Sequence, residues 1–380
     1  GIEFQRGSSC VRGEEALKRS PILFLLFIGI IAVTASGTIT LGQRYPLGIM
    51  PSGLKKVENS SGTYFVTLVK GDSELVVFDT SFRPLTIFDS MRNDGINDLI
   101  YRDGKLYCFG FYSGRVIVVD VSGHPSKWKK MDEIPTSSRL VTGSFIDGKV
   151  GMLTNDYEFL VLDIDKREIL KRENLPVIGL SVAEDAKNFF VSLFHNYNML
   201  TRSHETEKGL LVFDEWGNLV KEVNIGKRPS YILLEDNRVF LVSYVEETLE
   251  VLSKSDFSQI QTIKLGRYPN FPTIHDGKIW LALTGEDQIM AIDLSSYQSK
   301  YFDLVGRGPI KVVHNGDRIY VLETITGTLE VLDSRGNTIE YVELDGYPVD
   351  IVFSGKEVAV LLQEDWQTGK NTGALQLIRH

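Results

Sequence analysis

A short polar turn followed by an apolar strand recurs eight times along this chain, and no other feature limits the fold so tightly. The turns are Ser60-Ser-Gly, Asp103-Gly-Lys, Asp147-Gly-Lys, Asp185-Ala-Lys, Asp236-Asn-Arg, Asp276-Gly-Lys, Asn315-Gly-Asp and Ser354-Gly-Lys. They precede TYFVTLV, KLYCFGF, KVGMLT, NFFVSLF, RVFLVSY, KIWLALT, RIYVLET and EVAVLLQ. Asp-Gly and Asn-Gly between apolar runs mark tight hairpins, because glycine takes φ > 0 without a Cβ clash.

Two further markers keep the same step. Apolar strands end in Asp at Asp79, Asp120, Asp163, Asp214, Asp293 and Asp333, with Ser253 in that place in the fifth repeat. An Asp there bonds backbone N–H groups two residues on and opens the next hairpin. A metal would need several of these carboxylates together, and one per repeat falls far apart in space. The third marker is Gly, a basic or aromatic residue, then Pro: Gly226-Lys-Arg-Pro229, Gly266-Arg-Tyr-Pro269, Gly306-Arg-Gly-Pro309 and Gly346-Tyr-Pro348. Proline cannot donate to a ladder, so it belongs to a link between repeats. Four strands in about forty residues, repeated without helices, give an all-β propeller. A parallel β-helix needs a shorter period, and a sandwich would not repeat its turns in register.

The last repeat, from Pro348 to His380, has room for three strands only. The missing fourth lies near the other end: Thr38-Ile-Thr-Leu-Gly42-Gln-Arg-Tyr-Pro46 reads like Thr262-Ile-Lys-Leu-Gly266-Arg-Tyr-Pro269. Residues 38–44 are therefore expected beside the C-terminal strands, closing the ring and removing two sheet edges. The blades are then 47–91, 92–135, 136–177, 178–228, 229–268, 269–308 and 309–347, with 348–380 and 38–46 forming the eighth. Seven blades is the alternative if an early repeat is irregular.

Residues 1–20 show no periodicity and take no part in the fold argument. Lys18 and Arg19 precede an apolar run from Ile22 to Ala35. As a helix this run spans about 21 Å, short of the roughly 30 Å hydrocarbon core. With small residues at Val33 and Ala35 it fits a secretory signal cut after Ala35. Extended through residues 22–42 it fits a retained membrane anchor. Both readings export the propeller, residues 36–380, and leave 1–35 as extension plus signal or anchor. Of the two cysteines, Cys10 precedes the run, and Cys108 sits in a strand-like stretch as a small buried apolar residue.

The stretch Leu249 to Leu283 resembles the YVTN repeat of surface-layer proteins, whose relatives include the quinoprotein amine dehydrogenase-like propellers. The shared features are VL, a polar turn, TIKLGRYP, a strand and DGKIWLAL; residues 289–323 repeat them with AID, VGRGP and NGDRIYVLE. The likeness covers 38–380 loosely and 229–348 best. It departs where His275 and His314 stand in place of the usual Pro, and where the YVxN ending is absent. The resemblance implies the propeller fold, and the fold alone hosts many functions.

By analogy with propellers in general, first strands line a channel. Links from fourth strand to first, and from second to third, then share one face. Three candidate features fall on that face. The first is a basic and aromatic arc of Arg44, Tyr45, Lys227, Arg228, Arg267, Tyr268, Arg307 and Tyr347, able to attract an anionic ligand or an acidic protein segment. The second is the long loop of repeat four, residues 195–208, whose His195, His204, Glu205 and Glu207 offer acid–base or ligand chemistry without any strong metal spacing. The third is Trp366 at the tip of 363–373, an aromatic anchor for a partner or a side chain packed on blade one.

The net charge of −9 argues against nucleic acid. No P-loop, G-x-S-x-G, H-E-x-x-H, calcium loop or C-x-x-C-H motif occurs. No cofactor or metal is expected on these grounds. The reading that follows is a non-enzymatic scaffold presenting its link face to a protein partner or an anionic ligand. A lactonase-like hydrolase or lyase using His195, Arg228, Arg267 and Glu247 is one alternative. A surface-layer or envelope-assembly component is the other.

Overall fold

A computed structural model of the chain describes residues 39–195 and 197–379. The export or anchor segment, with Cys10, Lys18 and Arg19, lies outside them. Among the described residues no helix is long and apolar enough to cross a membrane.

Eight four-stranded antiparallel sheets succeed one another along the chain. Blade 1 spans 51–88, blade 2 96–135, blade 3 140–174 and blade 4 179–224. Blade 5 spans 231–264, blade 6 269–303, blade 7 309–343, and blade 8 joins 346–379 to 40–46. The seven-bladed alternative is therefore excluded. Each Asp-Gly or equivalent turn joins a first strand to a second. At Asp103-Gly104 both residues have positive φ, 49° and 73°, the backbone that a two-residue hairpin following strand twist requires.

Why the strands are so uniformly apolar follows from the packing. The second and third strands of a blade are covered on both faces by the neighbouring blades. In Lys278–Leu283, for example, Ile279 and Leu281 pack toward blade 5 while Trp280 and Ala282 pack toward blade 7. Eight separate apolar clusters result, one at each blade-to-blade interface. Cys108 is fully buried in the cluster between blades 1 and 2, and burial raises its thiol pKa far above the ordinary range. Fourth strands lie at the perimeter and alternate with water, as in Gln259–Lys264, where only Ile263 is buried.

First strands meet around the channel through polar contacts. The Leu54 N–H of blade 1 donates to Asp350 of blade 8 at 2.7 Å, and Lys311 of blade 7 pairs with the same carboxylate. Thr142 donates to Asp98 at 2.7 Å, and Tyr231 to Asn270 at 3.0 Å. These bonds tie neighbouring blades where apolar packing is thinnest.

Closure happens as the sequence implies, with a shifted register. Thr40–Pro46 pairs antiparallel with Ala374–Arg379, placing Leu41 opposite Ile378 and Tyr45 opposite Leu375. Ile39 is buried between blades 7 and 8. The ladder slips between Leu41 and Arg44. Compared with 262–269, this stretch carries one extra residue, Gln43, and a bulge absorbs it. The pairing thus runs to Pro46 rather than ending at residue 44.

Candidate functional site

The two ends of the propeller are built differently. On the hairpin face, the strand-ending Asp residues cap their own turns. Asp214 accepts the N–H groups of Trp216 and Asn218 at 2.9 and 2.8 Å; Asp333 does the same for Arg335 and Asn337. Asp293 takes N–H and hydroxyl donors from Ser295 and Ser296, which hold its carboxyl far below the usual range. Each of these carboxylates is thus engaged by its own loop. No group of three or more His, Cys, Asp or Glu gathers into a metal site among the described residues.

On the link face, the Arg residues of the expected arc all have partners. Arg228 sends Nε to Glu246 at 2.6 Å and lies over the Phe194 ring. Arg267 donates to the Gly285 carbonyl at 2.7 Å, with Glu286 at 3.9 Å. Arg307 faces Asp287 at 3.3 Å. Arg139–Asp156 and Arg92–Glu74 are further pairs of the same kind that the repeat pattern had not brought out. Lys227 stands 3.9 Å from Glu250. A link Arg facing a loop carboxylate leaves little unbalanced positive field for a ligand.

Arg44 and Tyr45 do not lie on a link at all. The bulge carries them into the fourth strand of blade 8. The Arg44 side chain, 14% exposed, reaches Asp365 at 2.6 Å, Gln376 at 3.2 Å and the carbonyls of Leu344 and Asp345 at 2.7 and 3.0 Å. It clamps blade 8 to the end of blade 7. Tyr45 is half-buried against the core between blades 8 and 1. Tyr347 is half-buried within the first strand of blade 8, opposite Glu364.

The repeat-four loop folds over a small hairpin, Tyr197–Asn198 against Ser203–His204. His195 turns inward, fully buried, and its Nε2 donates to the Lys227 carbonyl at 3.0 Å, pinning the loop to the next link. The His204 side chain lies outside the described residues. The groups named for the hydrolase alternative do not assemble: His195 is engaged by a backbone carbonyl, Arg228 by Glu246 and Arg267 by the blade 6 loop. Trp366 is 44% exposed and packs on Gly327 of blade 7, not on blade one: a Cβ at Gly327 would collide with its ring.

What sequence reasoning missed is an apolar rim. Blades 1 to 4 each leave a large apolar side chain in water on the link face: Met50, Tyr112, Tyr157 and Leu200. Blades 5 to 8 add Val245, Tyr268, Ile325 and Trp366. Tyr112 is 79% exposed and Leu200 95%. Tyr268 stacks on Tyr244, ring centres 5.2 Å apart. On the hairpin face the described turns leave Trp216 as the counterpart. A signal existed: Tyr112, Val245 and Ile325 all stand two residues past the end of a second strand.

Buried carboxyls hold part of this rim in place. Glu330 accepts the N–H groups of Val305 and Gly306 at 2.9 and 3.1 Å, leaving the Val305 side chain exposed. Glu323 lies beside it, fully buried, accepting from Thr328. Burial first, then the adjacent Glu330 carboxylate, pushes the Glu323 pKa well above the carboxylate range. At the channel mouth, Lys70 lines a cavity of about 340 Å³ with Lys55, Asp98 and Leu180; burial lowers its pKa and Asp98 partly offsets that.

No family model matches this chain, and no curated protein matches it. Solved structures do. BamB from Moraxella catarrhalis superposes with a TM-score of 0.63 at 14% identity, over 90% of this chain and 100% of that one. The computationally designed Ika8 protein gives 0.67 at 12% identity, over 88% and 99%. The dihydro-heme d1 dehydrogenase NirN in complex with DHE gives 0.63 at 13%, over 79% and 68%. At these identities the likeness establishes the class: an eight-bladed β-propeller.

Proposed function

We propose that this propeller is a protein-binding scaffold that docks a partner on its link face. The observation that carries the reading is the apolar rim, to which every blade contributes an exposed side chain on one face. Scattered exposed apolar residues are ordinary, but a ring of them around one end of a rigid scaffold is a docking surface. Aromatic members such as Tyr112, Tyr268 and Trp366 are the residue types that anchor interfaces. The surrounding Arg–carboxylate pairs supply a polar border that fixes orientation more than affinity.

The partner is a protein segment with exposed apolar side chains. Export of the propeller, by a cleaved signal or a retained anchor at residues 22–42, fits the basic flank and apolar run of the sequence. The resemblance of 249–323 to the repeats of surface-layer proteins accords with a scaffold in the cell envelope. The test is a triple variant, Tyr112→Ser, Tyr268→Ser and Ile325→Ser, purified from its native membranes beside the parent chain. The parent is expected to co-elute with a stoichiometric protein partner. The variant should lose it while still unfolding cooperatively, since Tyr112 and Ile325 are mostly in water and Tyr268 gives up only a surface stack on Tyr244. Equal retention by both chains would refute the reading.

A further inference from the structure

We propose that the open end of blade 8, on the hairpin face, is a binding site for a phosphate-class anion. In the other seven blades a short chain turn joins the third strand to the fourth. In blade 8 the third strand runs to Arg379 and the fourth from Thr40, so these two strands are not joined by such a turn. The gap between Arg379, the blade 1 turn and the first turns of blades 7 and 8 forms a cavity of about 650 Å³.

The charge of that cavity opposes the charge of the molecule. The chain as a whole carries −9. The cavity is lined by Arg83, Arg318, Lys356 and Arg379 against a single acid, Glu357. Arg83 is held by Asp79 at 3.0 Å and Arg318 by Glu340 at 3.3 Å, which fixes two of the cations to the wall. Lys356 and Arg379 have no carboxylate partner among the described residues. Arg83 and Arg318 are thus balanced like the Arg residues of the link face, and the unmatched positive charge of the cavity comes from Lys356 and Arg379.

The chemistry of the lining selects the ligand class. Guanidinium groups match tetrahedral phosphate oxygens with paired N–H bonds, and an ammonium adds a point charge. A phosphate monoester carries about two charges on three outer oxygens, against one on a carboxylate, so it makes fuller use of several cations. The cavity is open to solvent and has room for a phosphate attached to something larger. A soluble phosphate monoester and the monoester headgroup of phosphatidic acid share this chemistry.

The experiment titrates inorganic pyrophosphate into the full chain by calorimetry at low salt. In parallel, pelleting with vesicles containing phosphatidic acid is compared with pelleting on phosphatidylcholine. Lys356→Gln, Arg379→Gln and their double variant are set beside Lys187→Gln, an exposed lysine in a blade 4 turn. Pyrophosphate is expected to bind the parent and Lys187→Gln alike, and the double variant at least about tenfold more weakly. Each single variant should fall between. A phosphatidic acid preference lost in the double variant assigns the headgroup; no such preference, with pyrophosphate binding still dependent on the pair, assigns a soluble ester. The proposal is overturned if pyrophosphate gives no heat, or if it binds the folded double variant as tightly as the parent.

Discussion

The link face and the hairpin face of this propeller carry similar numbers of turns, yet they handle side chains in opposite ways. On the hairpin face, Asp79, Asp214, Asp293 and Asp333 fold back on their own loops and leave little apolar surface. On the link face, charged groups pair across loops and between blades, while Tyr112, Leu200, Val305 and Ile325 stand in water. Self-contained turns are a solution any repeat can use. Charges also pair between blades on the hairpin face, as in Lys149–Glu215 and Lys254–Asp185, so it is the apolar rim that sets the link face apart. Blade 8 breaks this rule on the hairpin face, because its turn is divided between the two ends of the chain.

Substitutions at matched positions on the two faces test this contrast. The largest effect is expected for Asp365→Ala at the link end of blade 8. It strands the buried Arg44 guanidinium, and loss of one member of a buried pair costs about 3–5 kcal/mol. Urea unfolding should show the loss. Gly327→Ala comes next, at about 2 kcal/mol, because φ is +67° there and a Cβ displaces Trp366. Tryptophan emission should shift to the red in that variant. At the hairpin end, Asp214→Ala removes bonds that water can replace and should cost about 1 kcal/mol. If Asp214→Ala proved as costly as Asp365→Ala, the contrast between local and ring-dependent bonding would fail.

The smallest effect concerns pH. His275 and His314 occupy equivalent positions in adjacent repeats and stack with ring centres 4.1 Å apart on the hairpin face. Burial, then the neighbouring His275, lowers the His314 pKa from 6.5 to about 4. The folded state therefore favours the neutral ring. Its contribution to stability is full above about pH 6.5 and is lost as pH falls toward about 4. Because His314 is only half-buried, screening limits this to about 1 kcal/mol. His314→Phe should flatten that part of the stability–pH curve, measured by urea unfolding at successive pH values.

The fold was open to reading because its determinants are local. Asp-Gly turns, strand-ending Asp residues and strands apolar on both faces recur at one spacing, and each is written in a few consecutive residues. Closure was legible for the same reason: 38–46 repeats the text of 262–269. The site was much less so. Gln43 moves Arg44 from a link into a strand, and a one-residue bulge has no sign in composition. Arg139 and Asp156, or Arg228 and Glu246, are well separated in sequence, and only strand register brings them together. The apolar rim was hidden because each member is a lone apolar residue in a polar turn. Curvature of the whole ring makes them neighbours.

The decisive measurement places a photo-crosslinking amino acid at each end of the same blade, at position 325 on the link face and at position 316 on the hairpin face. Irradiation in native membranes should join position 325, and not position 316, to a single protein of defined mass. Adducts at 316 alone, or none at 325 in chains that remain folded, would contradict docking on the link face.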